Sequence, residues 1–135
     1  MNVRRLTVVG VGALLLSASC KPTTTEPPAA VAGEFTVNLT TPNSDDGALL
    51  VKVTGNGANI ITGVTAACSG CKLFWSRVND TEYRGVITGT INAGAVARVA
   101  VSDINSKASY SAQLLDVASR TYVKRATTGY SLTLQ

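Results

Sequence analysis

Phe35-Thr36-Val37-Asn38-Leu39-Thr40 decides the fold. Phe35, Val37 and Leu39 alternate with Thr36, Asn38 and Thr40, so an extended chain here has one apolar side and one polar side. The same period of two recurs along the rest of the chain. Pro42 to Gly47 is a turn cluster, after which Leu49, Val51 and Val53 point one way with Lys52 opposed. Ile60 to Ala67 predicts a third strand, bent or bulged at Gly63. Lys72 to Val78 predicts a fourth, with Leu73 and Trp75 on one face and Phe74, Ser76 and Val78 on the other. Tyr83 to Ile91 and Val96 to Val101 follow as strands, and Asp103 to Lys107 as a loop. Tyr110 to Val117 reads as a strand whose Leu114-Leu115 breaks the alternation as a bulge does, or as a piece that opens with a short helix. Ser119 to Thr128 is a polar excursion, and Tyr130, Leu132 and Leu134 close the chain as a last strand. About eight short strands at this spacing predict an all-β fold, a single antiparallel β-sandwich over residues 34–135.

Upstream of that domain the pattern disappears. Residues 20–33 carry Pro22, Pro27 and Pro28 among threonines and alanines, with no apolar period. Such a segment stays extended and solvated, a tether of ~30–45 Å at ~3.1 Å per residue. Residues 1–19 have another build. Arg4 and Arg5 make a basic start, Val8 to Leu16 an apolar middle, and Ser17-Ala18-Ser19 a small-residue end before Cys20. That is the layout of a secretory signal peptide. Its middle is far short of the ~20 residues of a membrane span.

Leu16-Ser17-Ala18-Ser19-Cys20 resembles the lipobox of bacterial lipoproteins, with Ser17 where the strictest form has leucine. The resemblance implies that Cys20 becomes the mature N-terminus and carries acyl chains, palmitate among them. Two or more chains anchor a protein stably at ~0.8 kcal/mol per buried methylene. The implied partner is a membrane, held through Cys20. In Gram-negative lipoproteins Lys21 after the cysteine leans toward the outer membrane. A second resemblance covers about half of the domain. Phe35 to Leu39, Tyr83 to Gly89 and Ala93 to Val99 are similar in pattern to cohesin and carbohydrate-binding modules of the immunoglobulin-like sandwich type. It implies a binding module for protein or glycan and assigns no residue a role.

Composition narrows the chemistry. The chain has 12 basic and 8 acidic side chains. Arg4 and Arg5 belong to the leader, and the near-balance that remains lacks the clustered basic face of a nucleic-acid binder. Histidine is absent. That removes the commonest general base and metal ligand and any Ser-His-Asp device. The expectation is a protein that is not an enzyme and uses no cofactor.

Four features remain as candidate sites. Cys68-Ser69-Gly70-Cys71 are two thiols in an exported chain, an even count once Cys20 is acylated. A disulfide between them would close a tight Ser-Gly turn and pin a hairpin between strands three and four. Its stabilisation would fall below the usual ~2–4 kcal/mol because the loop is short. The competing reading is a redox Cys-x-x-Cys, which wants its first thiol at a helix N-terminus. Zinc would need four ligands, which two cysteines without histidine do not supply. Trp75 with Arg77, Tyr83 and Tyr122 is a candidate ligand-binding set, and the alternative is that Trp75 is the core tryptophan of the sandwich. Asn43 to Asp46 are oxygen-rich, suited to calcium or to an ordinary turn. Arg120, Lys124 and Arg125 could meet anionic headgroups or be a solvated loop. Three functions follow: a membrane-anchored binding module, an accessory subunit of an envelope complex, or a thiol-disulfide protein.

Overall fold

The structure, a computed structural model, describes residues 26–135. Cys20 and the leader lie outside the described residues. Residues 26–32 are exposed and carry no regular structure. The segment is nonetheless tied down at its end: the Val31 amide donates to Asp103 Oδ1 at 3.1 Å and the Val31 carbonyl accepts from the Ile104 amide at 2.7 Å.

Nine strands follow: β1 (Gly33–Thr40), β2 (Asp46–Thr54), β3 (Ile61–Ala66), β4 (Lys72–Asn79), β5 (Glu82–Ile91), β6 (Gly94–Val101), β7 (Ser111–Ser119), β8 (Lys124–Arg125) and β9 (Ser131–Leu134). They build two antiparallel sheets, β3-β6-β1-β9 and β4-β5-β2-β7-β8. The fold is an antiparallel β-sandwich. Phe35, Val37 and Leu39 of β1 and Leu49, Val51 and Val53 of β2 are all buried, and they meet Ile87, Ile91, Val99 and Val101 in one core. The period of two thus places each inward row as the hydrophobic pattern requires. Both anticipated bulges are present. Thr62 is the extra residue where β3 shifts register against β6 beside Gly63, and Leu115 is the extra residue where β7 shifts against β2.

Three elements differ from the sequence reading. Ile104–Ser109 is a 3₁₀ helix rather than a loop, capped by Asp103, whose Oδ1 accepts from the Asn105 amide at 3.1 Å and whose Oδ2 accepts from Ser106 Oγ at 2.6 Å. The polar excursion holds the two-residue β8, paired to β7. The third difference concerns partners. β3 pairs with β6 and β4 with β5, so residues 67–71 cross from one sheet to the other and are not a hairpin turn. Side-chain alternation tells which face a residue takes but not which strand lies alongside.

The registers place the loops at two opposite ends. Gly33 pairs with Val101, Thr54 with Ser111 and Glu82, and these define the end where the chain enters. At the far end Thr40 pairs with Ser131, Lys72 with Thr88, and Asp46 with Ile91 and Ser119. The Cys68–Cys71 corner, the Ser119–Lys124 hairpin tip and the loops around Asn43 and Ala126 therefore share the end remote from Gly33.

Trp75 faces inward, half-buried against the core, while its neighbour Phe74 is 61% exposed on the outer face. The reason is across the strand. Trp75 pairs with Gly85, and a Cβ at Gly85 would lie 2.5 Å from indole Cδ2 and Cε3 and 2.6 Å from the Phe74 carbonyl oxygen. The indole fills the space that a side chain would otherwise take. Gly85→Ala is therefore expected to cost about 1–3 kcal/mol through overpacking. Urea unfolding measures this, and an unchanged midpoint would show that the ring is not seated there.

Candidate functional site

At the far end the first residue of β2, Asp46, is fully buried. A buried carboxylate is tolerated only when its lone pairs are filled. Here Arg125 Nη1 donates to Oδ1 at 2.8 Å, the Tyr130 hydroxyl to Oδ1 at 2.8 Å, and Thr41 Oγ1 to Oδ2 at 2.6 Å. Asn43 Nδ2 in turn donates to the Tyr130 oxygen at 2.7 Å. Arg125 Nη2 also holds both oxygens of Asp45, at 2.7 and 2.6 Å. The oxygen-rich turn is thus filled by a guanidinium where a calcium ion would have to sit. Among the described residues no group of three or more acidic or cysteine side chains could hold a metal.

Each of the three cations of the excursion has a partner of its own. Arg125 belongs to the Asp45–Asp46 network, Lys124 pairs with Asp116 at 2.9 Å, and Arg120 Nη2 donates to the Ser44 carbonyl at 3.2 Å.

The hairpin tip between β7 and β8 is built on this base. The Tyr122 amide donates to the Ser119 carbonyl at 3.0 Å and the Ser119 amide to the Val123 carbonyl at 2.9 Å. The Val123 amide meets Ser119 Oγ at 3.2 Å, and the Arg120 amide donates to the Asp45 carbonyl at 2.9 Å. Closing so short a loop puts Tyr122 at φ 62°, the left-handed conformation that glycine adopts at lower cost. Tyr122 is also 89% exposed. A bulky aromatic held in a strained backbone state and left in water has no role in packing.

Two grooves adjoin it on the outer face of the five-stranded sheet. One, about 250 Å³, is floored by Ala48, Leu50, Val86 and Ala118 and flanked by Lys124. The other, about 330 Å³, is lined by Gly47, Thr88, Gly89 and Arg120. Tyr122 borders both. A third concavity, about 560 Å³, lies between β7 and β9 at Tyr110, Ala112, Leu132 and Leu134. The Tyr110 hydroxyl there is engaged by Ser102 Oγ at 3.4 Å and by the Asp103 amide at 3.3 Å, which leaves a mostly apolar wall.

The four residues singled out from sequence are not one site. Trp75 and Tyr83 pack against the core from the inner face, and Arg77, opposite Tyr83 in register, pairs with Asp80 at the entry end. Tyr122 alone stands on the outer surface at the far end. The residues that sequence reasoning missed are the outward partners of core positions, Ala48, Leu50 and Val86. Their signal was the apolar character of supposedly polar positions in β2 and β5.

Cys68 and Cys71 form a disulfide, with Cα atoms 5.5 Å apart. The two sulfurs rest 3.6 Å from the Val96 carbonyl oxygen and 3.7 Å from that of Thr90. The bridge thus closes the sheet-to-sheet corner on itself, beside β5 and β6. Neither cysteine adjoins a helix: the one helix among the described residues, Ile104–Ser109, lies at the other end.

Comparison of the chain with protein-family models, curated proteins and solved structures returned no match.

Two outcomes follow from this geometry. Tyr122→Gly relieves the backbone strain, so it is expected to leave stability unchanged or raise it by about 1 kcal/mol, read as the urea midpoint. Marked destabilisation would instead mean that the phenol packs. The second concerns acid. Hydrogen bonds from Arg125 hold the Asp45 carboxyl below its ordinary 3.8, as Ser106 does for Asp103 and Lys124 for Asp116. Between the folded and unfolded values the unfolded state binds more protons. Stability from these groups is complete above 3.8 and is lost as pH falls from there through the lower folded values. Thermal melts should be flat above about pH 5 and decline below pH 4, with a shallower decline in Asp45→Asn. An equal slope in that variant would exclude Asp45 from the effect.

Proposed function

We propose that this chain is an exported lipoprotein, anchored through Cys20, whose β-sandwich is a non-catalytic binding module with Tyr122 at the centre of its ligand site. The observation that carries the reading is Tyr122 itself, 89% exposed at φ 62° and bordering two grooves on the outer face of the five-stranded sheet. Sites built on a well-supported scaffold keep their geometry without the ligand. Placement supports the anchor as well. The chain enters at Gly33, and Tyr122 stands at the opposite end, so a tethered domain would present it away from the membrane.

The occupant we assign to the grooves is a glycan. Volumes of about 250 and 330 Å³ lie near the small end of ligand-binding clefts. A tyrosine offers an apolar ring face for sugar C–H groups and a hydroxyl for hydrogen bonds. Leu50, Val86 and Ala48 supply an apolar floor, and Arg120, Thr88 and Lys124 polar rims.

An array of glycans and cell-wall polymers tests this. The expected result is binding of a subset of saccharides, weakened at least about tenfold, or ~1.4 kcal/mol, by both Tyr122→Ala and the stability-neutral Tyr122→Gly. Binding that survives both substitutions, or no saccharide bound at all, would remove the proposal.

A further inference from the structure

Four strands end the two sheets: β3 and β9 in one, β4 and β8 in the other. An open strand edge invites pairing, and proteins blunt such edges with short strands or bulges. Three of the four are blunted here. β8 has two residues, β9 has four, and β3 is bulged at Thr62. β4 differs. It runs eight residues and is regular from Lys72 to Arg77, with its register shift delayed to Val78. Its outward residue Phe74 is 61% exposed, and the Nε1 of its inward Trp75 is buried with no hydrogen-bond partner.

We infer that the β4 edge pairs with the β4 edge of a second copy of this chain, joining two five-stranded sheets into one of ten strands about a twofold axis at Phe74. The register follows from parity. Opposed residues of an antiparallel pair share a face, so residue numbers facing each other across the axis must have an even sum. An axis at Phe74 sets Phe74 against its own copy on the outer face, Leu73 against Trp75 on the inner face, and Lys72 against Ser76. Apolar meets apolar on both faces, and no like charges are opposed. An axis at Trp75 would set Phe74 against Ser76 and Leu73 against Arg77. An axis at Ser76 would run into the Val78 bulge. The Phe74 axis is the one that uses only the regular part of the strand and removes the exposed ring from water, in the aromatic cross-strand pairing that stabilises sheets.

The inference does not rest on the ligand reading. Tyr122 lies between β7 and β8, at the other side of the same sheet. The twofold axis is normal to the sheets, so both Tyr122 grooves would lie on one continuous face.

Sedimentation of the full chain from micromolar to millimolar concentration tests the pairing. The expected result is a monomer–dimer equilibrium that Phe74→Lys shifts at least about tenfold toward monomer, with an unchanged circular dichroism spectrum because Phe74 is outside the core. Mild oxidation supplies the register. Cβ atoms opposed across an antiparallel pair are ~4.5–5.5 Å apart, so Phe74→Cys should crosslink to its copy and Ser76→Cys should not. A wild-type monomer throughout the range, a dimer indifferent to Phe74→Lys, or preferential crosslinking by Ser76→Cys would each overturn the inference.

Discussion

A single buried carboxylate, Asp46, holds the far end of the sandwich together. It has no contact with water, and three segments reach it: Thr41 from the turn that follows β1, Arg125 from β8, and Tyr130 from just before β9. Without those donors a charge at that depth would cost several kcal/mol. The consequence is mutual dependence. β8 is only two residues long and β9 only four, and ladder hydrogen bonds alone hold such short strands weakly. Arg125 and Tyr130 fasten both to β2, and the hairpin tip that carries Tyr122 is fastened with them. The strained tyrosine is possible because its surroundings are over-determined.

Much of the fold was legible because burial imposes a period of two. β1 and β2 place every anticipated residue inward, and Leu114-Leu115 and Gly63 marked real register shifts. What was not legible was pairing. The turn-like Cys68-Ser69-Gly70-Cys71 suggested a hairpin, yet β3 and β4 belong to different sheets. A strand's own sequence records its faces, whereas its neighbours are chosen by the closing of the whole sandwich. The 3₁₀ helix had a readable signal in Asp103 three residues before Ser106, the spacing of a side-chain cap.

The candidate site was legible only in part, for a related reason. Trp75 drew attention as the one tryptophan, but its face was decided across the strand by the missing side chain at Gly85. Tyr122 looked ordinary in a polar stretch. Its backbone strain and exposure come from closing a short loop between β7 and β8, which no local pattern announces. Its grooves are floored by residues whose sequence neighbours are core. The outer face of the five-stranded sheet therefore carries two apolar features, the groove at Tyr122, floored by β5, β2 and β7, and the edge at Phe74, whose cross-strand partner Val86 belongs to that floor.

Gly89 belongs to two structures at once. It lines the second groove, and a Cβ on it would fall 2.6 Å from the Gly70 carbonyl oxygen inside the disulfide corner. The wall of that groove and the crossover between the sheets thus lie backbone against backbone at Gly89 and Gly70. A side chain at position 89 would therefore change the groove wall and press on the disulfide corner together. If the surface binds as proposed, its variation would fall to Thr88, Arg120 and Tyr122, the neighbouring lining positions with side chains to vary.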